Sequence, residues 1–167
     1  MSLSQINTNI KKREKPNDIF ITPIDLALLH INSINANIND VWYDPFKNSG
    51  NYFNQFPTEN KKWSELLEGK DFFDFNEKVD VICSNPPYSI LETILDKCIE
   101  LQPRIISFLI GFQNLTAKRL EKMENAGYKI VYFHLTKVFK WFGMSLIVTW
   151  EKTDKKSIIN FDRKVWK

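Results

Sequence analysis

The spacing of apolar and polar residues changes repeatedly along the chain, between the pattern of strands and that of helices. Short runs rich in Val, Ile, Phe and Tyr indicate strands, and apolar residues three or four positions apart indicate amphipathic helices. Strands are predicted at DVWYDPF, NKKWSEL, GKDFFDF, KVDVICS, RIISFLIG, YKIVYFHL and FGMSLIVTWEK. Helices are predicted over about residues 23–34 and at ILETILDKCIEL and LTAKRLEKMENAG. This alternation predicts an α/β domain, with a parallel sheet covered by helices on both faces.

Local signals add detail to four of these elements. Thr22 and Pro23 suit the start of the first helix, and Ile24, Leu28 and Ile31 fall at helical spacing, as one apolar face would. The near-continuous apolar run RIISFLIG is typical of a central strand covered on both faces. The last two predicted strands are joined by a short link, which predicts that they pair antiparallel.

Length and composition fit one globular domain with polar ends. The chain has 167 residues, of which 43% are hydrophobic and 14% aromatic, and this is enough for one buried core. We predict a single domain over residues 18–155, a flexible basic arm over residues 1–17 and a tail over residues 156–167. The arm contains KKREKPND, and it is either a solvated tail or a contact to phosphate groups.

Composition also argues against several classes of protein. The first residues form no apolar run, and no segment reaches the ~18 consecutive apolar residues of a membrane helix. We therefore predict an intracellular protein, cytoplasmic or nuclear, with no membrane partner. Cys83 and Cys98 are predicted to be buried free thiols. His30 and His134 are the only histidines, so we predict neither a metal site nor a histidine-based catalytic triad.

Three polar residues stand where predicted strands end. Asp44 closes the first strand, Glu65 stands near the end of the second, and Asn85 follows KVDVICS. In open α/β sheets, ligands bind at the carboxyl ends of the strands. These side chains are therefore expected to meet at one edge of the sheet and to form a ligand site.

The sequence Asn85-Pro86-Pro87-Tyr88 interrupts a strong strand with two prolines. Proline holds the preceding residue extended, so Asn85 and Pro86 are expected to be extended in a rigid loop. The side-chain oxygen of Asn85 and the main-chain carbonyl of Pro86 can then face one point, which suits the two hydrogens of an aromatic amine. Tyr88 adds a flat surface for stacking on a ring. These four residues are the candidate catalytic residues.

Two acceptors on one amine would also activate its nitrogen. They pull both hydrogens away from the ring plane, so the lone pair is less conjugated with the ring and more nucleophilic. No strong base is needed before attack, because the nitrogen becomes acidic once it is alkylated. The Asn85 oxygen and the Tyr88 ring would stabilise the positive charge that develops on the nitrogen.

Taken in order, these segments resemble the motifs of the S-adenosylmethionine-dependent amino-methyltransferases. The type resembled methylates adenine N6 in DNA, here in a minimal form without a target-recognition domain. SNPPYS resembles the catalytic motif, DPFKNSG the cofactor loop, ITP the additional cofactor motif before that loop, and WSELLEGKDFF the acidic segments between them. The resemblance covers about residues 20–150. It implies a Rossmann-like class I methyltransferase fold, with a mostly parallel seven-stranded sheet and a C-terminal antiparallel strand pair.

The resemblance implies roles for individual residues. It places Asp44 near the methionine amine of the cofactor, Glu65 at the ribose hydroxyls, and Asp71 with Phe72 at the adenine; Asp71 is preferred to Asp74 because Phe72 follows it. Asn85, Pro86 and Tyr88 match the target-amine site. The full predicted cofactor set is Thr22, Pro23, Asp44, Pro45, Phe46, Gly50, Glu65, Asp71, Phe72 and Asn85. The loop has Asn48 where the family often has glycine, and Asn tolerates the left-handed backbone that glycine adopts there.

The substrate side leaves alternatives open. Residues 137–145, KVFKWFGMS, are either a core strand or a rim that stacks bases and touches phosphates. On the second interpretation Lys140, Trp141 and Phe142 bind substrate together with Tyr88. DNA is the first expectation for the partner and RNA the second, with a homodimer or a DNA-binding subunit as further partners. A protein glutamine amide, or a catalytically degenerate subunit of a methyltransferase complex, are the other interpretations.

Overall fold

Six strands form one sheet in the computed structural model of the chain, which describes residues 20–138 and 143–164. They are β1 (Trp42–Asp44), β2 (Lys61–Trp63), β3 (Val81–Ser84), β4 (Ile105–Gly111), β5 (Tyr128–Thr136) and β6 (Ser145–Lys152). Their order across the sheet is β2-β1-β3-β4-β6-β5. Strands β1 to β4 run parallel, whereas β6 is antiparallel to both of its neighbours, β4 and β5. The predicted parallel sheet and C-terminal antiparallel pair are therefore confirmed.

Helices cover both faces of this sheet. They are α1 (Ile24–Asn32), α2 (Leu91–Leu101) and α3 (Ala117–Asn125). Side chains of a strand alternate between faces, and adjacent residues of β4 accordingly join different cores. Ile105 packs with Ala27 and Ile31 of α1, whereas Ile106 packs with the apolar residues of α2 and α3. Every residue of β4 is buried, which confirms its prediction as a central strand.

The predicted strand at GKDFFDF is wrong, so the described part of the chain has six strands instead of the predicted seven. A short 3-10 helix, Phe72–Asp74, stands there. The Asp71 carboxylate accepts a hydrogen bond from the Phe73 amide at 3.1 Å, and such a bond closes a turn instead of extending the chain. Phe72 is fully buried in the core, so this segment covers the sheet without joining it.

Helix α1 forms where it was predicted, but it buries a different face. Ala27, His30 and Ile31 are buried, while Ile24 is 60% exposed and Leu28 is 42% exposed. His30 occupies the inner position because both of its ring nitrogens have hydrogen-bond partners there. A buried polar ring is stable when it is paired in this way, and apolar spacing alone does not reveal it.

The division of the chain into arm, domain and tail stays a prediction, whereas the prediction about the thiols is confirmed. The predicted arm, residues 1–17, lies outside the described residues. The described part of the tail contacts the domain, since the Ile158 amide donates to the carbonyl of Ile130 at 3.0 Å. Cys83 and Cys98 are buried free thiols, as predicted. Among the described helices, none has the length and apolar character to cross a membrane.

The loop after β1 depends on two residues with positive φ. Asn48 has φ 46° and Gly50 has φ 83°, so Asn48 does adopt the left-handed conformation that was expected of it. A Cβ atom on Gly50 would lie 2.8 Å from Nδ2 of Asn54, so the exposed Asn54 side chain would have to move. Gly69 has a similar φ of 77°, but open space surrounds its Cα.

We expect Gly50→Ala to destabilise the protein more than Gly69→Ala does. Both substitutions force alanine into a left-handed conformation, at a cost of about 1–2 kcal/mol. Only Gly50→Ala also displaces the Asn54 side chain, which we expect to cost about 0.5–1.5 kcal/mol more. Urea unfolding of both variants measures the difference, and equal losses of stability would show that the loop yields at Asn54.

Candidate functional site

The polar residues predicted at strand ends do meet at one edge of the sheet. Strands β1 and β3 are parallel neighbours, so their carboxyl ends lie side by side. The hydroxyl of Ser84, the last residue of β3, donates to Oδ1 of Asp44 at 2.7 Å. The Phe46 amide donates to the same oxygen at 3.2 Å. Asp44 is thus held directly beside the start of the Asn85 loop.

Asp44 is a fully buried carboxylate with one oxygen left over. Its Oδ2 is buried and has no hydrogen-bond partner within residues 20–138 and 143–164. Burial raises the pKa of Asp44 to about 7, and the nearby Glu65 carboxylate adds to this rise; the Ser84 hydroxyl and the amides of Phe46 and Phe53 lower it in part. A cationic ligand near Oδ2 would supply the missing partner.

Glu65 anchors two turns at the same edge. Its Oε2 accepts from the Asn48 amide at 2.8 Å, and its Oε1 accepts from the Leu67 amide at 3.2 Å. The side chain therefore joins the loop after β1 to the turn after β2. Each carboxylate oxygen can accept more than one hydrogen bond, so Glu65 can still bind hydroxyl groups of a ligand.

A cleft of about 170 Å³, here called the main cleft, opens at this edge. Its walls come from the segment before α1, the loop after β1, the turn after β2 and the loop after β3. The residues that line it are Phe20, Ile21, Thr22, Phe46, Lys47, Asn48, Ser49, Asn51, Tyr52, Glu65, Leu66, Leu67, Asn85 and Pro87. Its walls combine apolar surface with amides and one carboxylate, as small-molecule sites usually do.

The structure brings only part of the predicted cofactor set to the main cleft. Thr22, Phe46, Glu65 and Asn85 line it. Residues that are buried instead of lining the cleft are Asp44, Pro45, Gly50 and Phe72. Pro23 is the exposed N-cap of α1, and Asp71 caps the 3-10 helix.

The ring of Phe72 packs on Phe46, with 5.3 Å between centroids. Of these two rings, Phe46 faces the cleft and Phe72 lies behind it.

Asn85 also lines a second, smaller space, here called the side cavity. This cavity has a volume of about 10 Å³, and its walls are Phe20, Ile21, Thr22, Asn85, Tyr88, Leu109, Val138 and Ser145. Asn85 and the segment from Phe20 to Thr22 line both spaces. The Ser145 hydroxyl is buried and lacks a hydrogen-bond partner among the described residues. An unpaired polar atom beside a cavity marks a position where a ligand can bind.

Tyr88 places its ring in the side cavity next to that of Phe20. Their centroids are 6.5 Å apart and their planes differ by 23°. Burial raises the pKa of Tyr88 to about 12, so its phenol stays neutral at physiological pH. The other predicted substrate residues, Lys140, Trp141 and Phe142, lie outside the described residues and stay predictions.

Sequence reasoning missed several residues of the site. Phe20, Asn51 and Tyr52 line the main cleft, although none of them stands at the end of a predicted strand. Tyr52 is buried, and its hydroxyl contacts Nδ1 of His30 at 2.9 Å. Burial lowers the pKa of His30 to about 3, so the ring is neutral. The only sequence signal for these residues was their nearness to Thr22 and Gly50.

Known methyltransferases share this fold. A 23S rRNA methyltransferase, ErmE, aligns with a TM-score of 0.60 at 11% identity, over 86% of this chain and 73% of its own. A methyltransferase from Pyrococcus furiosus aligns with a TM-score of 0.58 at 13% identity, over 89% of this chain and 95% of its own. The magnesium protoporphyrin IX methyltransferase of Synechocystis, with SAM bound, has a TM-score of 0.58 at 10% identity, over 78% of each chain.

These likenesses establish the fold and leave the substrate open. At such low identity, a shared fold says nothing about which molecule is bound. No protein-family model and no curated protein matches the sequence. Only the residues of the site itself therefore indicate its chemistry.

Two buried groups make the stability of the protein depend on pH in opposite directions. Asp44 has a pKa of about 7 when folded and an ordinary pKa of 3.8, so the folded state holds an extra proton between these values and stability falls as pH rises. His30 has a pKa of about 3 when folded and an ordinary pKa of 6.5, so between these values the unfolded state holds the extra proton and stability rises with pH. Each group contributes at most about 1.4 kcal/mol per pH unit.

We expect that replacing one of these two residues leaves the effect of the other on the pH dependence of stability. Between about pH 4.5 and 6.5, the free energy of unfolding of Asp44→Asn should rise with pH more steeply than that of the wild type, by on the order of 1 kcal/mol per unit. For His30→Gln, the free energy of unfolding should instead fall as pH rises, by a similar amount relative to the wild type. Urea unfolding across this range measures all three slopes, and three equal slopes would contradict the burial of both charges.

Proposed function

We propose that the protein is a methyltransferase that uses S-adenosylmethionine to methylate the exocyclic amine of adenine in DNA. The observation that carries this proposal is the position of Asn85, which lines both the main cleft and the side cavity. A methyl donor in one space and an amine in the other would meet at this residue. Reactants held in contact in this way gain a large rate advantage without further chemistry from the protein.

The residues around the main cleft fit S-adenosylmethionine. The cofactor supplies a methyl group on a positively charged sulfur, and it carries an ammonium group, a ribose diol and an adenine ring. Asp44 is buried beside the cleft without lining it, so its carboxylate would attract the positive charge through space. Glu65 would accept from the ribose hydroxyls, and Phe46 with Leu66 provides apolar surface for the adenine.

The left-handed conformation of Asn48 supports an intact cofactor loop. Asn48 has φ 46°, so the loop keeps its turn without the glycine that is common at this position. This favours an active enzyme over a degenerate subunit.

The Asn85 loop would hold the target amine. Pro87 is extended, with φ −64° and ψ 122°, and the chain then turns into the 3-10 helix Tyr88–Ile90. In this loop the Asn85 side-chain oxygen and the Pro86 carbonyl would accept the two amine hydrogens. The nitrogen becomes more nucleophilic, and its proton is lost after methylation. The pair of fixed acceptors stabilises the charge that develops on the nitrogen.

The side cavity would receive the target ring. Tyr88 offers an aromatic face there, and the Ser145 hydroxyl offers a hydrogen bond. The cavity holds only about 10 Å³, which is room for about one water molecule. The Phe20 side chain would therefore rotate away from Tyr88 to admit a base, and that base would be flipped out of a duplex or already single-stranded.

DNA adenine is the first choice of substrate because of the resemblance of SNPPYS to the motif of the adenine-N6 enzymes. The charge of +3 is compatible with a nucleic-acid partner. Lys140, Trp141 and Phe142 are proposed to contact the bases and phosphates next to the target. A homodimer or a DNA-binding subunit would extend the contact with DNA.

We expect Asn85→Ala and Tyr88→Ala to reduce methyl transfer by at least about 100-fold, because each removes a group that contacts the amine or its ring. Tyr88→Phe, which keeps the ring, is the matched control and should keep most of the activity. The assay incubates methyl-labelled cofactor with DNA, RNA and protein pools, followed by nucleoside and amino-acid analysis. Label in RNA or in glutamine would reassign the substrate, and full activity of Asn85→Ala would overturn the proposed role of this loop.

We expect Glu65→Gln to weaken cofactor binding about tenfold, which corresponds to about 1.4 kcal/mol. The substitution removes a charge-assisted acceptor from the main cleft. Glu68→Gln is the control, because Glu68 pairs with Lys47 at 2.7 Å and does not line the cleft. Calorimetry with S-adenosylmethionine measures both affinities, and equal affinities for the two variants would remove Glu65 from the binding site.

A further inference from the structure

The amide group of Asn85 is held in one of its two orientations. Its Nδ2 donates to the carbonyl of Phe20 at 3.3 Å and to Oγ1 of Thr22 at 3.1 Å. A carbonyl oxygen only accepts, so the nitrogen of the amide must face Phe20, and Oδ1 points the other way. If the amide were rotated by half a turn, two oxygens would face each other. The orientation observed is the one in which Asn85 can accept a hydrogen from an amine.

Thr22 is itself held in place on two sides. It is 5% exposed, and its carbonyl accepts from Nδ2 of Asn51 at 2.7 Å. Its side chain also lies beside the Tyr52 hydroxyl: burial raises the pKa of Tyr52 well above its ordinary value, and the neighbouring Thr22 side chain lowers it in part. Both partners belong to the loop after β1, which lines the main cleft. The residue that orients Asn85 is therefore tied to the other wall of the main cleft.

A chain of buried polar side chains continues from Tyr52 into the sheet. The Tyr52 hydroxyl contacts Nδ1 of His30 at 2.9 Å, and Nε2 of His30 contacts Oγ of Ser107 at 2.7 Å. Ser107 in turn contacts Oγ1 of Thr149 at 2.7 Å. The chain crosses from α1 to β4 and β6, and four buried groups share their hydrogen bonds along it. Such a network has few alternative arrangements, because each broken bond would leave a buried group unpaired.

We propose that Thr22, with Tyr52 and His30 behind it, positions the Asn85 amide so that its oxygen faces the target amine. Thr22 and Tyr52 act through Asn85 in this role, as positioning residues. The importance of the orientation for methyl transfer rests on the proposed function. The orientation itself is a property of the protein alone and can be measured without a substrate.

Two pairs of variants test this proposal. Thr22→Val removes the hydroxyl and keeps the shape, whereas Thr22→Ser keeps the hydroxyl. Tyr52→Phe removes the hydroxyl that contacts His30 and lies beside Thr22. Its matched control is Tyr128→Phe, since the Tyr128 hydroxyl is also buried and donates to the carbonyl of Pro103 at 2.7 Å, on a different part of the sheet. The control separates a general loss of stability from an effect on Asn85.

The first readout is the side-chain amide of Asn85 in the NMR spectrum of nitrogen-labelled protein, assigned by its loss in Asn85→Asp. In the wild type and in Thr22→Ser we expect two protected amide protons. In Thr22→Val their exchange with solvent should be at least tenfold faster, and in Tyr52→Phe severalfold faster. Tyr128→Phe should leave them unchanged. Unchanged amide protons in both Thr22→Val and Tyr52→Phe would overturn the proposal.

The second readout is kinetic. If the proposed function is right, Tyr52→Phe should lower kcat at least fivefold with little change in KM for the methyl acceptor, because the orientation matters most as the nitrogen gains charge. Equal kcat values for Tyr52→Phe and Tyr128→Phe would show that these hydrogen-bonded side chains have only a structural role. If the wild type has a protected Asn85 amide but methylates no pool, the positioning is supported and the proposed function is not.

Discussion

The parallel pairing of β1 with β3 decides where every polar group of the site lies. It places the last residue of each strand at the same edge, and there the Ser84 hydroxyl binds Asp44 at 2.7 Å. β1 is also the neighbour of β2, so the turn that carries Glu65 joins the same edge. Parallel strands require crossovers, and these crossovers put helices on the faces and leave the strand ends open to a ligand.

Burial makes the hydrogen bonds of the polar groups at this edge important for stability. A buried polar atom without a partner costs free energy, and hydrogen bonds offset this cost between Asn85 and Thr22 and from Tyr52 through His30 to Ser107. Asp44 and Ser145 each keep one buried oxygen without a partner in the described residues. These two atoms lie on either side of Asn85 along the sheet edge.

Much of the fold could be predicted from the sequence because the signals for individual helices and strands are local. The apolar run of β4, the amphipathic pattern of α2 and the two prolines after β3 each predict their own element without reference to distant residues. Asn48 likewise predicted a left-handed turn. The prediction was wrong for the segment around Phe72. Its aromatic residues suit a strand, whereas the Asp71 carboxylate accepts a hydrogen bond from the Phe73 amide and closes a short helix.

By itself, the sequence determined the order of strands and helices, the break at Pro86 and the residues that stand at strand ends, because propensity and proline geometry act within a few residues. Tertiary structure alone decided which face of α1 is buried and which of Phe46 and Phe72 faces the cleft. His30 is buried in α1 because Tyr52 and Ser107, 22 and 77 residues away, offer hydrogen bonds to it. Phe46 faces the cleft because Phe72 fills the core behind it. Such choices depend on partners that only the folded chain brings together.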